Sequence, residues 1–230
     1  MRLRSLAPRI VVPPLRTYRS VNASVAEGGL LTSFSTTFLD DEDPLSPLIW
    51  DNGLDAGLDW NNMLSSNGNA TGKEIQTGFN DNLAALRRWG LTDYFVEGIV
   101  HRGSGYNPSI NHEAILFVRL KVDPNSAEGI EVLFSAHGNS EIVQWLGGIG
   151  QFQQRSQVGD QALQEDDVIR AEIVGNTITA FRNAQQVHQV TEATFAATGA
   201  PGLGAFSVGG GSPPVVLANL GWKSITAGPL

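Results

Sequence analysis

Apolar and polar residues alternate with a period of two along most of the chain from Leu31 onward. In Tyr94–Arg102 (YFVEGIVHR), Phe95, Glu97, Ile99 and His101 fall on one face and Tyr94, Val96 and Val100 on the other. Comparable short runs are AILFVRLKV (114–122), GIEVLFSA (129–136), SEIVQWL (140–146), GQFQQRS (150–156), VIRAEIV (168–174), TITAFRN (177–183), QQVHQVT (185–191), LGAFSV (203–208) and VVLANLGWKSI (215–225). Turn residues separate them: Gly175-Asn176, the tight Asn183-Ala184-Gln185 link, and Gly199, Pro201 and Gly202. Leu83–Trp89 (LAALRRW) has helical propensity, but the period-two segment that follows makes it a strand. No helix-period segment reaches ten residues, so the pattern predicts an all-β, two-sheet antiparallel sandwich. No repeat of solenoid or propeller length is present.

The first thirty residues break this pattern. They hold five arginines (Arg2, Arg4, Arg9, Arg16 and Arg19), the single acid Glu27, and Pro8, Pro13 and Pro14, which block regular structure. Residues 1–30 are therefore expected to be an extended basic arm, and residues 31–230 the sandwich domain. Arg9, Arg16 and Arg19 are the arm residues expected to dock on other subunits, of the same protein or of a larger particle.

Composition narrows the chemistry. The 230 residues carry a formal net charge of −8, which argues against a nucleic-acid or anionic-membrane partner. There is no cysteine, hence no disulfide framework, thiolate metal site or thiol nucleophile. The N-terminal residues lack an apolar run of signal-peptide length, so Sec export is not expected. No stretch approaches a membrane-spanning helix. Gly147–Gly150 and Gly209–Gly211 are glycine-rich but open no helix, which leaves no phosphate cradle.

Several segments together resemble the concanavalin A-like lectin/glucanase jelly rolls found in phage and bacterial proteins. They are Phe38-Leu39-Asp40 with Trp50, Thr92–Gly98, Phe117–Leu120, Asp166–Glu172, Val174–Ala180, Thr191–Phe195, Gly199–Leu203 and Asn219–Trp222. The likeness spans roughly residues 34–226. It implies a jelly-roll sandwich and speaks less to activity. One departure is Asn183-Ala184, where the pattern has Asn-Gly, which predicts a wider or differently shaped turn.

The glucanase branch of that fold implies paired carboxylates on one strand, because alternate residues share a face. No strand here supplies them. Glu97 has no second acid on its face, Glu128 and Glu131 are three apart, and Glu165–Asp167 reads as a turn cluster. Pairing between strands stays open. Glu97, His101 and Arg119 would line a half-apolar sugar-binding surface if their two strands present the same face; the alternative is an outward Glu97–Arg119 ion pair. Of the five tryptophans, Trp60 and Trp145 lie near loops and could stack on a sugar ring, whereas most are expected in the core. Asp51, Asp55 and Asp59 sit in an Asp/Asn-rich stretch (Asp51–Asn69) read as loop. No cofactor is expected; the reading is a solvated acidic loop, with a calcium ion on its side-chain oxygens as the alternative.

The expected function is a non-enzymatic structural or adhesion module of a virion, as capsid decoration or tail-associated protein, assembled through the arm and able to bind a cell-surface glycan. The alternative is a carbohydrate-active enzyme (a glycoside hydrolase or polysaccharide lyase) or a stand-alone carbohydrate-binding module. The expected location is a virion, or otherwise the cytoplasm.

Overall fold

The computed structural model describes residues 21–26, 28–52, 60–74, 78–103, 111–147, 150–195, 197–209 and 215–230. These form two antiparallel sheets packed face to face. Strands are numbered in chain order. The first sheet runs β1 (Val21–Val25), β2 (Leu31–Thr37), β17 (Val215–Gly228), β8 (Tyr94–Arg102), β13 (Val168–Val174), β14 (Thr177–Arg182) and β15 (Gln185–Thr191). Beside β17, β6 (Asn69–Glu74) pairs in turn with β5 (Leu64–Ser66). The second sheet runs β12 (Phe152–Gly159), β11 (Asn139–Gly147), β10 (Ser126–Ser135), β9 (His112–Asp123), β16 (Ala200–Gly209), β7 (Gly78–Leu86) and β3 (Trp50–Asn52). A short β4 (Asn61–Asn62) joins β7 in parallel.

Period-two alternation decides what each strand buries. Tyr94, Val96 and Val100 of β8 face Ala114, Leu116 and Val118 of β9 and Ile130, Val132 and Phe134 of β10 in one inter-sheet core. Trp50 and Trp222 belong to that core, and Trp89 packs against it. Gly98 lies directly beneath the Trp222 ring: a Cβ there would come within 2.4 Å of it, so the indole can lie flat only over a glycine. The Trp222 indole N–H donates to the Gly204 carbonyl at 2.9 Å, tying β17 to the opposite sheet.

Three expectations change against this structure. Val21–Val25, assigned to the arm, pairs with β2 of its own domain from Val21↔Thr36 to Val25↔Leu31, so the sandwich already includes Val21. Residues 1–20, with Arg9, Arg16 and Arg19, lie outside the described residues. The Asp51–Asn69 stretch is not simply loop: β3, β4 and β5 begin or end in it, and Asn52 and Asn61 are buried. Their polarity hides strands because the amides serve inside the fold; Asn52 Nδ2 donates to the Leu45 carbonyl at 2.9 Å. Finally, the Asn183-Ala184 turn is tight. Both residues take positive φ (50° and 64°), and Arg182 pairs directly with Gln185. This is the backbone of a two-residue hairpin turn with alanine where glycine would be relaxed.

Candidate functional site

The second sheet is apolar on both faces, which is unusual for an antiparallel sheet with no covering layer among the described residues. Residues pointing away from the first sheet form their own cluster. It comprises Leu83 and Ala85 of β7, Ile115 and Phe117 of β9, Leu133 of β10, Val143 and Trp145 of β11 and Phe206 of β16, with Trp60 beside them. Gly204 makes room in this layer, since a Cβ there would meet the Phe117 ring at 2.8 Å.

The layer lines a cavity of about 390 Å³. Aromatic rings form much of its wall. Trp60 stacks on Phe117 at 6.0 Å between ring centres and meets Trp145 edge-on at 4.4 Å; Trp145 in turn contacts Phe152 at 5.2 Å. At the other side Phe79 stacks on Phe206 at 5.9 Å. Phe79 and Phe152 are 69% and 54% exposed, so two aromatic platforms stand on β7 and β12 with four strands between them.

Carboxylates share this apolar space. Glu113 (β9), Glu131 (β10), Glu141 (β11) and Asp81 (β7) all line the cavity. Strand register places them. Glu113 and Asp81 lie in one cross-strand row on either side of Phe206; Glu141 lies opposite Leu133, and Glu131 opposite Val143 and Phe117. Glu131 is only 5% exposed, and its Oε2 accepts a hydrogen bond of 2.6 Å from the Trp145 indole. Burial pushes the Glu131 carboxyl well above the usual carboxylate range, and Glu113, Asp81 and Glu141 push it further. Burial likewise raises Glu113 to about 7, opposed by a hydrogen bond from Asn111 and reinforced by Glu141 and Asp81. Glu141 is raised too, again by burial first. Burial is the cause common to all three, and like charges in the same space add to it at Glu113 and Glu131.

The residues singled out from sequence divide between different surfaces. Trp60 and Trp145 meet in this cavity. Glu97 and His101 lie on the outward face of the first sheet, whereas Arg119 is on the second, so these three do not share a surface and no Glu97–Arg119 pair forms. Glu97 instead faces Arg170 at 3.6 Å, and the Arg170 guanidinium also pairs with Glu172 at 2.7 Å and lies 3.7 Å over the Phe95 ring. His101 Nδ1 lies 3.6 Å from Glu165. Arg119, 3% exposed, is a structural pin at an irregularity in β9. Its φ is 51°, its backbone N–H donates to Tyr94 Oη at 2.5 Å, and its side chain reaches the Thr92 carbonyl and Asp93. Of the calcium candidates, Asp51 is held by Arg87 at 2.6 Å, while Asp55 and Asp59 lie outside the described residues. Among the described residues no group of three or more acids or histidines is placed to hold a metal ion.

Glu113, Glu131, Glu141 and Asp81 were missed because no strand carries two of them at suitable spacing; they converge only through strand pairing. A signal was nevertheless present. Ala114–Val118 (AILFV) and Val132–Phe134 (VLF) are unbroken apolar runs, and such runs in an antiparallel sandwich mean a second buried face.

No protein-family model and no curated protein matches the chain. Solved structures do. A Bacillus licheniformis β-glucanase superposes with a TM-score of 0.57 at 12% identity, covering 86% of this chain and 99% of its own. A native glycosidic hydrolase gives 0.58 at 14% identity, with 90% and 99% covered. The carbohydrate recognition domain of Emp47p gives 0.51 at 12% identity, with 92% and 98% covered. The fold is the concanavalin A-like lectin/glucanase jelly roll. At these identities the likeness concerns architecture alone.

Proposed function

We propose that the protein is a non-enzymatic glycan-binding module that takes a sugar in the aromatic groove on the outer face of the second sheet. The observation carrying this reading is the pair of exposed platforms, Phe79 and Phe152, flanking an acid-lined cavity. Pyranose C–H faces match aromatic faces, and carboxylates accept hydrogen bonds from hydroxyls. A superposed carbohydrate recognition domain and two superposed sugar-cleaving proteins give the reading context. Within it, the basic N-terminal segment serves as attachment element, and a virion surface is the setting we assign to such an adhesin.

A second reading rests on Glu113. A carboxyl raised to about 7 in a cavity lined by three further acids is a proton donor at neutral pH, as glycoside cleavage requires. One experiment separates the two. The protein is offered a panel of soluble and insoluble polysaccharides, with retention and release of reducing ends measured in parallel. Binding without product, lost in the F79A/F152A double variant at unchanged melting temperature, supports the binding module. Product formation abolished by E131Q establishes the enzyme instead. Undiminished binding by the double variant removes the groove from either account.

A further inference from the structure

The groove is unbalanced in charge. Four carboxyl groups line it, and no lysine or arginine does so among the described residues. The internal residues outside the described set (27, 53–59, 75–77, 104–110, 148–149, 196 and 210–214) contain neither residue type; the arginines outside it all belong to residues 1–20. Elsewhere the fold satisfies its buried acids. Asp167, 5% exposed, is met by Arg182 at 2.5 Å and by Asn183 at 2.9 Å. Glu131, equally buried, receives one hydrogen bond from Trp145 on one oxygen. The other oxygen accepts none from the described residues, although it belongs to the wall of an open cavity.

We infer, on the basis of the glycan-binding reading above, that the sugar taken by this groove carries a cation: an amino sugar whose free ammonium group meets Glu131 while its ring lies on the aromatic wall. An ammonium completes what the site lacks. It offers three donors to carboxylate oxygens, neutralises the mutual repulsion of the acids, and is attracted to the faces of Trp60, Trp145 and Phe152. A neutral sugar can donate hydroxyls but leaves the repulsion in place. A uronate or sialate would add a further negative charge to an already crowded space, so anionic glycans are excluded.

The test is calorimetric titration of the full chain with short β-1,4 oligomers of glucosamine, N-acetylglucosamine and glucose, matched in length, at pH 7, where Glu113 is partly ionised and part of the amine is charged. The glucosamine oligomer should bind at least tenfold more tightly than the other two. E131Q should erase that preference while leaving the melting temperature equal or higher. E97Q, a charge removed from the outward face of the first sheet, should leave the preference intact, which separates the groove from a general attraction of a polycation to an acidic protein. If the three oligomers bind equally, the cationic ligand is wrong and the groove remains a neutral-sugar site; if E131Q retains the preference, the cation is not read by this groove. If the preference survives E131Q but falls with E97Q, the cation is read on the opposite sheet. If no sugar of any class binds, the glycan-binding reading itself fails.

Discussion

Trp145 and Glu131 are joined diagonally across β11 and β10 by a 2.6 Å hydrogen bond from the indole N–H to the carboxyl. The bond holds one oxygen of an acid that the surrounding rings would otherwise leave without water or partner. It does not offset burial and the neighbouring acids, which together hold the carboxyl well above the usual carboxylate range.

That relationship sets a pH dependence of stability. Glu113 titrates at about 7 in the folded chain, against 4.5 as its ordinary value, so the folded state binds more protons than the unfolded state in between. Stability is then full below pH ~4.5 and declines as pH rises towards 7, by about 3 kcal/mol at most. Glu131 acts in the same direction. The difference in melting temperature between E113Q and wild type should grow from pH 5 to pH 8. A difference that does not change with pH would mean that Glu113 is ionised in the fold as freely as outside it.

His188 has the opposite slope. Its ring lies between Ser140 and Ser156, at 3.1 Å and 3.0 Å, and burial lowers its pKa despite the nearby Asp160. The neutral ring contributes stability that is present above ~6.5 and lost as pH falls through its depressed folded value. H188Q should therefore show a smaller loss of melting temperature from pH 7 to pH 5 than wild type. An equal loss in both proteins would assign the acid sensitivity to other groups.

Ala184 occupies left-handed backbone at φ 64° in the hairpin turn between β14 and β15. A non-glycine residue pays roughly 1–2 kcal/mol there, although glycine also loses more chain entropy on folding. A184G should accordingly raise the melting temperature by about 2–4 °C, measured by calorimetry. A decrease would show that the turn is not strained.

Arg182 bridges Asp160 at 3.2 Å and Asp167 at 2.5 Å, both partners of a buried network reaching the Gln161 and Ala162 carbonyls. Removing it leaves Asp167 as an uncompensated buried charge. R182M should cost about 3–5 kcal/mol, read by denaturant unfolding, whereas R182M combined with D167N should recover part of it. Loss of less than about 1 kcal/mol would show that water reaches the site.

Strands such as β8 and β13 were legible because they alternate between a core face and an outer face, and β9 and β10 because their apolar runs are bounded by turn residues. The strands between Asp51 and Asn69 were not, because buried asparagines replace the apolar signal. Trp60 and Trp145 were legible as candidates by type, but their meeting with Glu131 was not. Trp145 and Glu131 are fourteen residues apart, and only the pairing of β10 with β11 brings them together. Arg119 illustrates the reverse error: its period-two position suggests an outward charge, yet the irregularity at φ 51° turns it inward against Tyr94.

On the proposed function, sugar enters the groove on the outer face of the second sheet. The indole N–H signals of the five tryptophans report on it directly by NMR during titration with a binding oligosaccharide. Trp60 and Trp145 line the groove, whereas Trp50 and Trp222 are buried between the sheets and Trp89 packs against that core. The signals of Trp60 and Trp145 should shift on binding while the other three stay in place. Saturable binding that leaves Trp60 and Trp145 unmoved would contradict the account.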